Sequence, residues 1–416
     1  MVNAAAIGSD SVTVENHKKT RRLKILSLST EYPNPGEPGK GLFVQARLGA
    51  IGKVADLTVI GPVALLDYAN PAGRLLASFA IPKTRSDDGT KIFHPRWLYP
   101  PFGGWLNAFC LYLRLLWPVA RLHSSSTFDL IDAHFAHPEG IAAALLGATL
   151  NIPFLITMRG SELRYQHHGL KRFWMAWAIR RADRVITVSD ELRALAIEFG
   201  AHPGAVKTVP NGVHKGTFYR RDRDACRRAH GIPEEAFVIL SAGDLARIKG
   251  HHRVIEAVQH LVDYGMPMQL LIAGGVGRSG RYAAALHTRA RELGLEDRVR
   301  FIGMAEQNTL AELMSAADVF CLASSSEGWP NVVHEALACG TPVVATDVGA
   351  VRQLLPAAQL GTVVPVDDDL ALATALREAL TQAWNHELIS SWGHSRSWNQ
   401  VAKEVLEEAT QVAASV

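Results

Sequence analysis

The stretch DVFCLASSSEGWPNVVHEALACGTPVVATDVGA, residues 318–350, decides the fold. A short apolar run (318–324) leads into a Ser/Gly/Pro loop, then a helix-like segment, then a second apolar run, TPVVATD (341–347). Short apolar runs joined by a helical segment read as strands of a parallel sheet buried on both faces. Glu327 stands on the loop after the first run, and Glu335, eight residues on, stands inside the helix which that loop feeds. Gly328 and Pro330 permit a tight turn, so both carboxylates can line one pocket beside a helix N-terminus. Carboxylates accept hydrogen bonds from vicinal hydroxyls, and spare N–H groups at a helix N-terminus favour phosphate. The combination suits a sugar attached to a phosphate. The alternative is a solvated glutamate beside a helix cap, and the glycine–proline context favours the pocket.

The same strand–loop–helix unit recurs along the chain. LKILSL (23–28), DLTVIGP (56–62), FDLIDAH (128–134), PFLITM (153–158) and RVITVS (184–189) form one array, closed by VKTVPNGV (206–213). FVILSAG (237–243), QLLIAGG (269–275), RVRFIGM (298–304), the two runs above and GTVVPV (361–366) form another. Two such arrays in tandem predict an α/β protein of two Rossmann-like lobes facing each other across a deep cleft. The expected division is a disordered tail over 1–22, a first lobe over 23–210 and a second lobe over 211–390. A C-terminal helix within 391–416 is expected to cross back onto the first lobe, and the hinge to lie at 210–218. Ligands of open parallel sheets bind beyond the carboxyl ends of strands, so the inter-lobe cleft is the expected site.

Bulk properties exclude several classes. With 48% hydrophobic and 20% charged residues, the 416-residue chain can build two large cores. A net charge of +3 is too weak to argue for nucleic acid. Cys110, Cys226, Cys321 and Cys339 are scattered without a C-x-x-C pair, which predicts neither a disulfide framework nor a zinc site and fits a reducing compartment. Residues 1–22 lack the apolar core of a signal peptide. Residues 105–122, WLNAFCLYLRLLWPVARL, come nearest to a membrane span but are broken by Arg114, Pro118 and Arg121. The segment LKRFWMAWAIRRADR (170–184) reads as a helix that mixes Phe173, Trp174 and Trp177 with Lys171, Arg172, Arg180 and Arg181. Such a helix either lies on an anionic lipid surface or packs its aromatics on the sheet. The expected location is cytoplasmic, with peripheral contact at the membrane's cytoplasmic face.

Several ordered segments together carry a family resemblance: YPNPGEPGKGLFVQARLGAI (32–51), ADRVITVSDELRALAIEFG (182–200), VPNGVHKGTF (209–218), GDLARIKGHHRVIEA (243–257) and EGWPNVVHEALACGTPVVATDVGA (327–350). From about residue 24 to about 380 the chain resembles the family-4 glycosyltransferases of the GT-B fold, among them those of bacterial cell-surface polysaccharides. The resemblance implies transfer of a hexosyl group from a nucleotide-sugar such as UDP- or GDP-hexose to a lipid-linked or polysaccharide acceptor. It implies retention of configuration, with no metal and no further cofactor. The first lobe would take the acceptor and the second the donor. Glu335 would hold the ribose, Glu327 the transferred sugar, and the backbone around Gly328, Trp329, Pro330 and Asn331 the sugar and pyrophosphate. Lys249 would neutralise the departing diphosphate, Gly41 would let backbone approach the same phosphates, and Met304 would meet the base through its main chain.

The sequence also departs from the family pattern. His214 replaces the Asp of the usual NGVD. Asp244 stands where an arginine is common, which leaves Arg247, or Lys249 with helix N–H groups, to support the leaving group. Arg159 stands where histidine is common, either pairing with a phosphate or acidic acceptor or forming a structural ion pair with Glu162. His134 is expected to face the cleft and contact the acceptor, whereas His137 reads as a core or capping residue. Asp367, Asp368 and Asp369 read as a helix cap rather than a metal site. His251 and His252 read as surface residues at a helix start. Gly275, Gly277 and Gly280 spell G-x-G-x-x-G, but no acid ends the next strand at the spacing a dinucleotide site needs. A GT-B-fold sugar-nucleotide epimerase and a catalytically inactive nucleotide-sugar binder remain as alternatives.

Overall fold

The computed structural model describes residues 21–65, 78–99, 104–276 and 280–415. Most of the 1–22 tail, and Gly277 of the glycine cluster, lie outside the described residues. In chain order the strands are β1 (Lys24–Leu28), β2 (Asp56–Ile60), β3 (Val63–Ala64), β4 (Thr84–Asp87), β5 (Thr90–Phe93), β6 (Arg96–Trp97), β7 (Leu130–His134), β8 (Phe154–Met158), β9 (Arg184–Thr187) and β10 (Val206–Thr208). They continue with β11 (Phe237–Ala242), β12 (Met268–Ala273), β13 (Val299–Gly303), β14 (Val319–Leu322), β15 (Val343–Thr346) and β16 (Gly361–Val364).

Fourteen of these strands build two large sheets, ordered β10-β9-β8-β7-β1-β2-β5-β4 and β13-β12-β11-β14-β15-β16, and β3 pairs with β6 in a separate two-stranded sheet. All pairings are parallel except β4 with β5. Every residue of β7, β8, β14 and β15 is buried, as expected where helices cover both faces of a sheet. The protein is an α/β fold of two parallel-sheet lobes.

The strand orders locate the ligand-binding edges. In the second sheet the order reverses between β11 and β14, and in the first between β1 and β7. At such a switch point the two following loops leave in opposite directions and open a crevice. The loops after β11 and β14 touch there: Ser325 N donates to Ile248 O at 2.9 Å. The loops after β1 and β7 meet similarly, with Thr30 N donating to Glu139 Oε1 at 2.7 Å.

Two strand pairs, β3–β6 and β4–β5, are absent from the sequence reading. β4 and β5 form a hairpin whose turn places Asp88 at φ 47° and Gly89 at φ 81°. An Asp-Gly pair with both residues left-handed is the turn that matches hairpin twist.

The chain passes between the lobes twice, at neighbouring places. Val213 N donates to Arg396 O at 3.1 Å, and a Cβ on Gly212 would lie 2.5 Å from Ser397 C, so only glycine lets the two crossings touch. After the second crossing, Ser397 and Gln400 form a reciprocal cap for the helix Trp398–Ala414. That helix lies on the first lobe, where Trp398, Val401, Ala402, Val405 and Ala409 join a core with Ile25, Val44, Leu48 and Leu130.

Residues 105–122 fall mainly in the helix Asn107–Ser125, which buries Leu111, Leu115 and Val119 and packs mainly on the helix Ile141–Leu150. No helix among the described residues is long and apolar enough to cross a membrane. Asp368 caps the helix Asp369–Thr381 by accepting from Ala371 N at 2.9 Å. All four cysteines are free.

Candidate functional site

At the second lobe's switch point, Gly250 begins the helix His251–Asp263 at φ 69°, and a Cβ there would lie 1.9 Å from Ala323 O. Only glycine lets the loop after β11 press against the end of β14. That contact brings Lys249 Nζ within 2.7 Å of Glu327 Oε1. The same carboxylate oxygen accepts from Ser324 Oγ at 2.7 Å. Lys249 is half-buried, and only a tenth of the Glu327 side chain is exposed, so the pair is partly shielded from water. Arg247 and Asp244 are exposed on the same loop, and no ion pair is formed by either among the described residues.

Glu335 lies in the second turn of the helix Asn331–Ala338. Its side chain is partly exposed, and the protein packed around its carboxyl pushes the pKa up to about 7. It is hydrogen-bonded to no described group. A carboxyl that packing holds partly out of water, with no donor from the protein, is open to donors from a ligand.

His251 corrects the expectation of a surface residue. It is 1% exposed, with Nδ1 3.0 Å from Ser241 Oγ and Nε2 3.3 Å from Gly243 O. Burial pushes its pKa down to about 4, so a neutral imidazole underpins the glycine loop that carries Asp244. His252 is half-buried, with Nδ1 2.7 Å from Tyr282 Oη.

On the first lobe, His134 also departs from expectation. It is fully buried at the end of β7, not open to the cleft. Its Nε2 lies 3.1 Å from Asp132 Oδ2, and its Nδ1 lies 3.0 Å from the Arg159 guanidinium. Burial, opposed by Asp132 and aided by Arg159, lowers the His134 pKa to about 4. Burial alone would raise the Asp132 carboxyl, but His134, Arg47 and Arg159 hold it well below the ordinary range. A neutral ring between an anion and a cation has one fitting arrangement: Nε2–H donates to Asp132 and Nδ1 accepts from Arg159.

Arg159 is 7% exposed and does not pair with Glu162 through its guanidinium. Glu162 instead accepts backbone N–H groups, from Ala136 at 2.8 Å, Arg159 at 3.2 Å and Gly160 at 2.9 Å. The Arg159 guanidinium reaches Asn211 Oδ1 at 3.3 Å and sits over the Phe43 ring. Asn211 Nδ2 then donates to Asn331 Oδ1 at 3.0 Å. A continuous polar chain thus runs from Asp132, deep in the first lobe, to the first turn of the second-lobe helix Asn331–Ala338.

The loop 327–330 is held between the lobes. A Cβ on Gly328 would lie 2.1 Å from Arg159 O, and one on Gly349 would lie 2.4 Å from Glu327 O. The Cα side of Gly328 is therefore taken by the first lobe rather than left open to a ligand. Trp329 is buried, its ring edge-on to His334 and its Nε1 without a partner. Pro330 is the N-cap residue of the helix Asn331–Ala338. Gly41 has φ 55°, and a Cβ would lie 1.9 Å from Glu31 O, so its own loop requires the glycine. Met304 is 70% exposed and spans the lobes, its Sδ lying 3.1 Å from where a Gly39 Cβ would stand.

The chain has relatives among known proteins. The family described as Glycosyltransferase Family 4 matches residues 77–215, and that described as Glycosyl transferases group 1 matches residues 222–395. A D-inositol 3-phosphate glycosyltransferase of Corynebacterium urealyticum is 30% identical over 307 residues, covering 69% of this chain and 72% of that protein. The chain belongs to the family-4 glycosyltransferases.

Another glycosyltransferase, Bacillus subtilis TuaC, whose name refers to teichuronic acid biosynthesis, is 28% identical over 379 residues, covering 88% of this chain and 90% of that one. Among solved structures, sucrose-phosphate synthase from Thermosynechococcus elongatus superposes with a TM-score of 0.76 at 20% identity, over 95% of this chain and 100% of that one. Anabaena HepE in complex with UDP and glucose superposes with a TM-score of 0.71 at 21% identity, over 93% of this chain and 99% of that one. These likenesses give the family-4 glycosyltransferase the GT-B fold.

The Arg159 departure takes a specific form in this family-4 glycosyltransferase. The imidazole is present, but on His134, one layer deeper and 3.0 Å from the guanidinium. Sequence reasoning missed Asp132, Arg47, Asn211 and His251. Asp132 and His134 alternate along β7 and so share a face, a signal that FDLIDAH carries. Arg47, in the apolar segment LFVQARLGAI, is 2% exposed and donates to Thr157 Oγ1 at 2.9 Å.

Proposed function

We propose that this glycosyltransferase moves a hexosyl group from UDP- or GDP-hexose to a lipid-linked or polysaccharide acceptor, with retention of configuration and without a metal or further cofactor. The observation that carries the proposal is the unpartnered, partly exposed carboxyl of Glu335 near the Lys249–Glu327 pair, at a switch point that faces the first lobe. Ribose hydroxyls would donate to Glu335, and sugar hydroxyls to Glu327. Lys249, with the N–H groups that begin the helices His251–Asp263 and Asn331–Ala338, would meet the diphosphate. In the transfer, the acceptor oxygen bonds to C1 on the face the diphosphate leaves, and the C1–O bond to phosphate breaks. A phosphate oxygen takes the acceptor's proton, giving a glycoside and a nucleoside diphosphate. Preorganised positive charge on the leaving group is the main contribution asked of the protein. The polysaccharide direction draws support from the name of TuaC, and a uridine nucleotide from the complex of HepE.

A peripheral membrane location is part of the same proposal. Trp105, Phe109, Leu113 and Trp117 recur every fourth residue along one stripe, and Phe109 packs edge-on to Trp174 at 4.8 Å. Leu113, Trp117, Leu170 and Phe173 are each more than half exposed. Arg121 lies over Trp117 and Arg181 over Trp177. An exposed apolar stripe rimmed by arginines suits an anionic bilayer surface.

Radiolabelled UDP- and GDP-sugars incubated with membrane lipid extracts test the reaction. Transfer is expected from the wild type and not from folded Lys249→Ala or Glu335→Ala. Full activity in both variants would contradict the site. Flotation with phosphatidylglycerol vesicles tests the surface: Trp117→Ser with Phe173→Ser is expected to lower bound protein severalfold, and unchanged flotation would contradict it.

A further inference from the structure

The β4–β5 hairpin ends the first sheet. Its side chains nevertheless reach the glycine loop 31–41 at both ends. Arg85 and Asp87 alternate along β4 and so share a face. Arg85 Nη2 donates to Pro33 O at 2.9 Å, where the loop begins. Its Nη1 lies 3.3 Å from Asp87 Oδ2, and the same oxygen accepts from Gln45 Nε2 at 3.0 Å. Gln45 belongs to the first turn of the helix Leu42–Gly52, which follows the loop. The Arg85 guanidinium also lies over the buried Tyr32 ring, 5.8 Å from its centre.

The third arm of the guanidinium is fixed from behind. Arg85 Nε donates to His94 Nε2 at 3.2 Å, and His94 Nδ1 lies 2.8 Å from Gly61 O. His94 is fully buried. Burial, opposed by the Gly61 carbonyl and aided by Arg85 and Arg96, lowers its pKa. A neutral ring then has one fitting arrangement: Nδ1–H donates to Gly61 O and Nε2 accepts from Arg85. His94 thus aims Arg85 and leaves its remaining donors to Pro33 and Asp87.

The loop itself is stiff. Pro33, Pro35 and Pro38 fix three of its φ angles. Lys40 Nζ stands 3.6 Å from Glu31 and 3.7 Å from Glu37. Thr30, just before the loop, is held by Glu139. The tip crosses to the second lobe, where Gly39 meets the Met304 side chain. Met304 Cε also comes within 3.1 Å of where a Gly275 Cβ would stand. A stiff loop pinned at both ends has its tip placed by the pins, and this tip touches the loops that follow β12 and β13.

We infer that Arg85 is a positioning residue for the transfer reaction: through Pro33 and the Asp87–Gln45 link it sets the loop 31–41 where Gly39 meets Met304 as the lobes come together. The inference rests on the proposed glycosyl transfer and adds to it a residue remote from the reacting atoms. A loop ordered before the donor arrives removes an entropic cost from closure. The brace therefore acts on the rate of the closed complex, not on the hold of the second lobe on its nucleotide.

Three measurements on the full chain test the brace: transfer to membrane lipid extract from saturating UDP- or GDP-sugar, nucleotide calorimetry, and amide hydrogen exchange. Arg85→Gln is expected to slow transfer about tenfold or more and to leave the Kd for UDP or GDP unchanged. Exchange should quicken over residues 31–41 while the strands of the first sheet stay protected. Arg85→Lys keeps a donor for Pro33 O and is expected to recover most of the rate. Gln45→Leu releases only the far end of the loop, so a smaller loss in the same direction is expected, and it decides the matter if Arg85→Gln does not fold. An unchanged rate in the folded variants, or a rate loss matched by equally weakened nucleotide binding, would overturn the positioning role. Absence of transfer by the wild type from every nucleotide-sugar would instead count against the transferase reading, and exchange over residues 31–41 then still decides whether Arg85 holds the loop.

Discussion

Glu335 should give nucleotide binding a pH dependence of known sign. Its carboxyl is raised by burial to about 7, so between the unfolded value and about 7 the folded protein keeps a proton that the unfolded chain has lost. This group's contribution to stability is therefore greatest at low pH and is lost as pH rises through about 7. Ribose hydroxyls prefer the ionised form, so nucleotide affinity should rise with pH through the same window, with proton release on binding. Calorimetry across pH 5.5–8 in two buffers would measure both, and Glu335→Gln should flatten the profile. If Lys249 supports the leaving group as proposed, Lys249→Ala should lower kcat/KM by roughly a hundredfold or more, about 2.7–4 kcal/mol, read by steady-state kinetics. The placement of Glu327, Glu335 and Lys249 at loop–helix junctions was legible because glycine, proline and helix signals fix where a loop meets a helix. His134 and His251 were not, because their roles depend on neighbouring strands covering them, which one strand's own sequence does not encode.

The loop 327–330 is the element that turns two lobes into one site. With Arg159 O 2.1 Å from where a Gly328 Cβ would sit, Gly328→Ala should leave each lobe folded but force the lobes apart. The expected outcome is a kcat loss of more than tenfold with a near-unchanged melting temperature, and a larger radius of gyration by small-angle scattering in the presence of nucleotide. His134→Ala should act through Arg159, leaving a buried guanidinium without one acceptor at a cost of about 1–3 kcal/mol, read by denaturant unfolding. At this scale the parallel strands were visible as apolar runs, since burial on both faces favours apolar residues at most positions. The β4–β5 hairpin was not, although Asp88-Gly89 marked its turn. Its strands, TRSD and TKIF, are half-exposed and polar and lack the alternation that flags a strand.

At the scale of the whole molecule, the second crossing ties the chain's end to its beginning. Deleting residues 397–416 would uncover Val401, Ala402, Val405 and Ala409 and their partners in the first lobe. Each large buried aliphatic contributes about 1.5–3 kcal/mol, against a total stability of about 5–15 kcal/mol, so the truncated protein should aggregate on expression, as a solubility assay would report. The repeat of strand–loop–helix units made the two lobes legible, whereas the polar chain from Asp132 to Asn331 exists only once the lobes meet. The central claim is that the second lobe's switch point holds a nucleotide-sugar. It is tested most directly by thermal denaturation of the wild type and Glu335→Ala against UDP-, GDP- and ADP-sugars. At a hundredfold excess over Kd a bound donor adds about 2.7 kcal/mol. One nucleotide should therefore raise the wild-type melting temperature by several degrees and leave Glu335→Ala unmoved. No shift with any of them, or an equal shift in the variant, would contradict the claim.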